Sequence, residues 1–242
     1  MAMTPEKRPL HGVRPEAVAG VVFDLGGVFL EGGPKHVAEF GPRVGLSAQV
    51  WREMALDLFV RGEDWNRVER GQARLDEFAE VLKTRLAGEG VWISMAQARE
   101  FMGTPGDAKS HPLRPEVVEL CRRLRGVMPT ALLTNNIREW REGWRARLPV
   151  AELFDLVVDS CEVGVRKPEP DIYRLVEQGL GLPGSALLFV DDLGVNLKTA
   201  RALGWQTVKY DRTGDVVAVL EAVLNAADPN RPSRIPSASP LP

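Results

Sequence analysis

The chain has 242 residues, enough for one large α/β domain or for a core domain with a smaller one inserted. Its hydrophobic fraction of 44% and charged fraction of 26% are those of an ordinary soluble globular protein. Thirty-one basic against 33 acidic residues leave a net charge of −2, which offers no field for nucleic acid or an acidic membrane. No apolar stretch approaches the roughly 18–20 residues of a membrane-spanning helix.

Residues 1–18 carry three prolines and no apolar segment of the secretory kind, and are expected to form a flexible arm. Val21-Val22-Phe23 then reads as a short strand buried on both faces; it ends on Asp24, with Gly26 and Gly27 close behind. From 32 to 108 the pattern turns helical, with helices expected over Ala48–Val60, Leu75–Leu86 and Ser94–Met102 and no convincing strand between them. In the second, Leu75, Phe78, Ala79, Leu82 and Leu86 repeat at helical spacing. The block reads as an inserted helical cap. His36, Trp51, Phe59 and Trp65 are its candidates for facing a substrate, although such residues serve equally as cap core.

Pro115 opens a helix that Gly126 stops. Thr130–Thr134 is a second strand, followed by Asn135 and by an amphipathic helix over about 137–148. Leu156–Val158 is a third strand, and it leads through Arg166-Lys167-Pro168-Glu169-Pro170 into a helix over Asp171–Gln178. Ala186–Val190 is a fourth strand, ending on Asp191-Asp192. A helix from Asn196 to Leu203, a fifth strand at Gln206–Val208 and a last helix at Val216–Leu224 complete the pattern. Residues 228–242, rich in Pro and Ser, are expected to be a second flexible tail. Strands alternating with helices predict an α/β fold: a doubly wound parallel sheet, Rossmann-like, over 19–31 and 109–226, with the small helical cap at 32–108. Cys121 and Cys161 suit a reducing cytoplasm as small buried residues, and His11, His36 and His111 have no zinc-ligand spacing.

Four polar signals stand at strand ends or just beyond them: Asp24, Thr134-Asn135, Lys167 and Asp191-Asp192. In open α/β sheets ligands bind outside those ends. Carboxylates, a hydroxyl, an amide and an ammonium together suit a phosphate group and a hard cation such as Mg²⁺. A carboxylate can also attack phosphorus and carry it as an aspartyl-phosphate. Each signal has a structural explanation as well. Asp24 could close a turn, Asn135 or Asn136 could cap a helix, Lys167 could be solvated, and Asp191 and Asp192 could be first-turn acids.

The runs FDLGGV, LLTNN, VRKPEP and VDDLGVN match in order the four motifs of the haloacid dehalogenase-like hydrolase superfamily, over about 21–226. The chain most resembles the branch with a helical cap after the first motif, and within it the N-terminal phosphatase domain of soluble epoxide hydrolase. That resemblance implies that Asp24 is the nucleophile, that Thr134 and Asn135 bind phosphate, and that Lys167 screens nucleophile and phosphate. It implies Mg²⁺ held by Asp24, the Gly26 carbonyl and Asp192, with Asp191 and Asn196 supporting from behind. Most phosphatases of the family carry a second aspartate where this chain has Gly26, so the general acid and base is missing from that position.

The expected activity is Mg²⁺-dependent hydrolysis of a small phosphorylated metabolite, a sugar phosphate being one candidate. The alternatives are a weakly catalytic or non-catalytic phosphate-ligand-binding member and a metal-independent 2-haloacid dehalogenase. The dehalogenase would have little use for the Asp191-Asp192 pair. Epoxide hydrolysis, which needs a further fold, is not expected. No nucleic-acid or membrane partner is expected, and the sequence leaves oligomeric state open.

Overall fold

The structure, a computed structural model, describes residues 12–31, 34–103, 111–211 and 215–227. Five strands, β1 (Gly20–Phe23), β2 (Thr130–Thr134), β3 (Leu156–Asp159), β4 (Leu187–Asp191) and β5 (Gln206–Lys209), pair in parallel in the order β3-β2-β1-β4-β5. Apolar residues alternate across the sheet because both faces are covered. Val21, Phe23, Leu132, Leu188 and Val190 pack in one cluster with residues of α6 (Pro115–Arg125) and α12 (Asp215–Ala226). Val22, Leu133, Leu187 and Phe189 pack in another with residues of α10 (Pro170–Leu180) and α11 (Gly194–Ala202). This is the doubly wound sheet that the alternating pattern predicts.

The chain winds outward from β1 through β2 to β3, then returns to the other flank of β1 as β4. The winding therefore reverses beside β1, where crevices open in folds of this kind. Phe23 pairs with Val190, and the Asp24 amide donates to the Val190 carbonyl at 2.9 Å. Asp24 and Asp191 are thereby set side by side.

Among the described residues, α1 (Pro34–Arg43), α2 (Ala48–Leu56), α3 (Glu63–Glu69), α4 (Leu75–Gly88) and α5 (Met95–Met102) follow one another between β1 and α6. They build a hydrophobic cluster of their own around Trp51, Phe78, Leu82, Leu86 and Phe101, in which Phe40 stacks on Phe101 at 3.8 Å between centroids. Ser47 caps α2, and Ser94 exchanges hydrogen bonds with Gln97 in a capping box that starts α5. Trp51, Trp65 and Phe59 all belong to this cluster or pack on it, so as aromatic residues they are cap core. The side chain of His36 lies outside the described residues.

Several local expectations are corrected. Residues 12–18 are not part of a flexible arm: Val13 and Val18 are buried in the main core, and Pro15–Ala17 forms a 3-10 turn against α12. Burial of two valines anchors the segment despite its prolines; residues 1–11 and 228–242 lie outside the described residues. The helix expected over 137–148 is broken into a 3-10 turn, Arg138–Trp140, and a short α7, Arg141–Arg145. Its apolar residues serve two masters, since Ile137 and Trp140 pack into the cap cluster while Trp144 and Leu148 pack into the core. The helix expected over Ala48–Val60 changes to π geometry at Asp57–Arg61, leaving Val60 65% exposed. Neither α1, with Gly41 and Pro42 inside it, nor the brief α3 was expected. The remaining short helices are α8 (Val150–Leu153) and α9 (Ser160–Val163). Among the described residues no helix is long and apolar enough to cross a membrane.

Candidate active site

The C-terminal ends of β1 and β4 carry Asp24 and Asp191, and Lys167 reaches them from the turn before α10. Its Nζ lies 2.8 Å from Asp24 Oδ1 and 2.8 Å from Asp191 Oδ2, and the residue is only 1% exposed. The same ammonium stands 5.4 Å from the centre of the Phe189 ring. Asp24 Oδ1 also accepts from the Leu25 amide at 2.7 Å. One oxygen of Asp24 is thus held, which leaves Oδ2 as the oxygen presented for chemistry.

Asp191 is fully buried and saturated. Its Oδ1 accepts from the Leu193 amide (2.7 Å), its Oδ2 accepts from Lys167, and Asn196 Nδ2 donates to both oxygens at 3.2 and 3.0 Å. Asn196 is itself fixed on the other side, where the Tyr173 hydroxyl donates to its carbonyl at 2.9 Å. Asp192, half-buried, is the third acid, and one carboxylate oxygen from each of Asp24, Asp191 and Asp192 lies within 4.8 Å of the others.

Two glycines shape the floor, for different reasons. Gly27 has φ +74°, and a Cβ there would stand 2.2 Å from Asp192 Oδ2. Only glycine fits. Gly26 has no positive φ, and a Cβ there would meet nothing within 4 Å. The missing carboxylate at Gly26 is therefore not imposed by the backbone.

Thr134 ends β2 on the other flank of β1, buried, with its hydroxyl donating to the Asn135 carbonyl at 3.4 Å. The Asn135 side chain brackets the backbone of Lys167, accepting from its amide at 2.8 Å and donating to its carbonyl at 2.9 Å. The side-chain amide expected to face a phosphate is thus engaged in holding the lysine.

The cluster is short of positive charge: three acids against one ammonium carry −2 when all are ionised. Burial pushes Asp24 up to about 8, with Lys167 opposing and Asp191 and Asp192 adding to the rise. Asp192 is raised as well, by burial and by Asp191. Burial works against the charge on Lys167, but Asp191 and Asp24 outweigh it and hold the lysine above its ordinary value. A set of oxygen donors with excess negative charge suits a hard divalent cation, whose charge would return the acids to their ionised form.

A family model for haloacid dehalogenase-like hydrolases matches residues 18–204. The chain belongs to that family. It is 35% identical to acyl-CoA dehydrogenase family member 10 of Mus musculus over 84% of this chain and 19% of that protein. It is 33% identical to bifunctional epoxide hydrolase 2 of Mus musculus over 44% of this chain and 20% of that protein, in line with the likeness read from the motifs. The chain spans about a fifth of the length of these relatives. Among solved structures it is similar to a haloacid dehalogenase family enzyme of Bacteroides thetaiotaomicron, in complex with magnesium and inorganic phosphate. The TM-score is 0.59 at 21% identity, over 81% of this chain and 96% of that one.

In this haloacid dehalogenase-like hydrolase one feature of the site was invisible in the motifs. The end of α3 brings Glu69 and Arg70 down onto the turn that carries Lys167. Arg166 Nε donates to Glu69 Oε2 at 2.5 Å, and Arg70 donates to Glu169 Oε1 through Nε at 2.9 Å and through Nη2. The Arg70 Nη1 also pairs with Glu63, and Asn135 Nδ2 lies 3.5 Å from Glu69 Oε2. Glu69 is buried; burial raises its carboxyl and Arg166 opposes the rise. Nothing in the local sequence signals this, because the pairs Glu69–Arg166 and Arg70–Glu169 join residues 97 and 99 positions apart. Only a buried acid at the close of a cap helix could have hinted at it.

The two glycines make a paired prediction. Gly27→Ala combines an unfavourable φ with a collision at Asp192 and should cost about 1 kcal/mol or more. Gly26→Ala meets open space at an ordinary φ and should stay within about 0.5 kcal/mol of the parent. Urea unfolding of both variants checks this; equal losses would show that the turn is misread.

Proposed function

We propose that this protein is a Mg²⁺-dependent phosphomonoester hydrolase acting on a small phosphorylated metabolite through a covalent aspartyl-phosphate on Asp24. The observation that carries the reading is the Lys167 ammonium shared between Asp24 and Asp191, with Asp192 completing the acid cluster. The magnesium and phosphate held by the related Bacteroides thetaiotaomicron enzyme support the ligand pair. Two free, buried cysteines, Cys121 and Cys161, suit the reducing cytoplasm in which such metabolites are found.

On this reading Asp24 Oδ2 attacks phosphorus in line with the departing oxygen, while Oδ1 stays anchored by Leu25 and Lys167. Lys167 offsets charge on the phosphate oxygens, and Thr134 with the backbone at Asn135 orients them. Asp24, Asp192 and the Gly26 carbonyl would hold Mg²⁺, which supplies further charge neutralisation when bound. Asp191 takes its place one layer behind, since both its oxygens are occupied by Lys167, Leu193 and Asn196. The helical cap over 32–108 covers the site and selects the substrate. Water then releases phosphate from Asp24.

Gly26 supports a second reading, a weakly catalytic or non-catalytic protein that binds phosphate ligands. The enzyme reading is tested by hydrolysis of sugar, nucleotide and aryl phosphates with Mg²⁺ and with a chelator. Activity should need Mg²⁺, and Asp24→Asn should fall to background while binding of a phosphate analogue persists. A folded protein that binds phosphate and hydrolyses none of these esters would establish the second reading.

Gly26 also sets the form of the rate. Without a carboxylate to protonate the leaving oxygen, weakly basic leaving groups should react best, so kcat/KM should depend steeply on leaving-group pKa. General acid catalysis is worth about 10²–10⁴-fold, and Gly26→Asp should recover part of that with basic leaving groups and flatten the dependence. The open space at Gly26 makes this a fair test. A parent slope as shallow as the variant's would mean that another group supplies the proton.

A further inference from the structure

We propose that Glu69 and Arg70, at the end of cap helix α3, are positioning residues that couple docking of the cap to the placement of Lys167. The inference rests on the proposed function for the role of Lys167, and on the geometry for the coupling.

The turn Arg166–Glu169 closes on itself, with the Glu169 amide donating to the Arg166 carbonyl at 2.7 Å and the Arg166 amide donating to Glu169 Oε2 at 3.2 Å. Lys167 lies inside this turn. The charged side chains at its two ends, Arg166 and Glu169, both pair with the cap, and the pairs are of opposite sense: core arginine to cap Glu69, cap Arg70 to core glutamate. Reciprocal pairs fix both position and register, because a slip of the cap by one residue would set like charges together.

Burial makes the contacts count. The Glu69 and Arg166 side chains are 11% and 15% exposed, so each would be a poorly solvated charge without its partner. The third polar group at this point is Asn135, whose Nδ2 lies 3.5 Å from Glu69 and which brackets the Lys167 backbone. Two contacts therefore run from Glu69 of α3 toward the lysine that holds Asp24, one through Arg166, its neighbour in the chain, and one through Asn135. With the cap displaced, the turn would lose both outer anchors and Lys167 would keep only Asn135 and its buried acids. Lys167 is then at its productive position only while the cap is seated.

The test uses the full chain, p-nitrophenyl phosphate with Mg²⁺, and amide exchange at Lys167, whose N–H is bonded to Asn135 Oδ1. Glu69→Gln, Arg166→Gln and the double variant form a cycle. Each single substitution should lower kcat about tenfold, as small misplacements of a working group do, and should speed exchange at Lys167. The double variant should lose about as much as either single, because all three break one contact. Unchanged kcat and exchange in Glu69→Gln, or losses that multiply in the double variant, would overturn the coupling. Should Glu69→Gln fail to fold, Arg70→Gln breaks the other anchor and is read in the same two ways. If the parent hydrolyses no phosphate ester, the proposed function fails, and exchange at Lys167 alone decides the coupling: faster in the variants supports it, unchanged overturns it.

Discussion

The Lys167 ammonium is buried 2.8 Å from both Asp24 and Asp191, and much of the molecule answers to the need to keep it paired. A lone buried charge costs several kcal/mol after relaxation, and loss of either partner would leave its mate uncompensated. The sheet order meets this requirement. Because β4 returns to the flank of β1, two strand ends far apart in sequence deliver their carboxylates to one point. The loop after β4 and the start of α11 then add Leu193 and Asn196, which satisfy the oxygens of Asp191 that Lys167 leaves over. The result is a largely buried acid cluster that one divalent cation would bring to neutrality.

Rigidity and reach come from different layers. Two apolar clusters on either face of the sheet fix the strand ends. Helices α1 to α5 have their own cluster, joined to the rest by Ile137 and Trp140 and by polar contacts. Glu139 accepts from the Leu75 amide at 3.0 Å, and the Trp140 indole donates to the Gly103 carbonyl at 2.8 Å. Gly71, with φ +67°, lets the cap backbone approach the Cys161 carbonyl, where a Cβ would lie 2.4 Å away.

The sequence made the strand ends legible because each sits beside a short apolar, largely β-branched or leucine-rich run. A carboxylate there stands out against its neighbours, as Asp24 and Asp191-Asp192 do. Lys167 was legible only through its motif, since a lysine in a proline-rich turn otherwise reads as surface. What stayed hidden depends on where the chain goes afterwards. The split of 137–148 arises because Ile137 and Trp140 find the cap, and the packing of Val13 and Val18 because α12 passes them. The engagement of Asn135 with the Lys167 backbone and the pairs Glu69–Arg166 and Arg70–Glu169 are tertiary in the same sense. A positive φ was as conceivable at Gly26 as at Gly27 from sequence; the structure has it at Gly27, which also lies against Asp192.

The proposed reaction requires Asp24, held by Lys167, to take the phosphoryl group covalently. Its most direct test is rapid quenching of the protein during turnover of an acyl or aryl phosphate with Mg²⁺, followed by mass analysis of the peptide spanning Gly20–Leu30. The peptide should carry one added phosphoryl group, located on Asp24. Steady turnover with the peptide unmodified, or with the phosphoryl group on another residue, would contradict this.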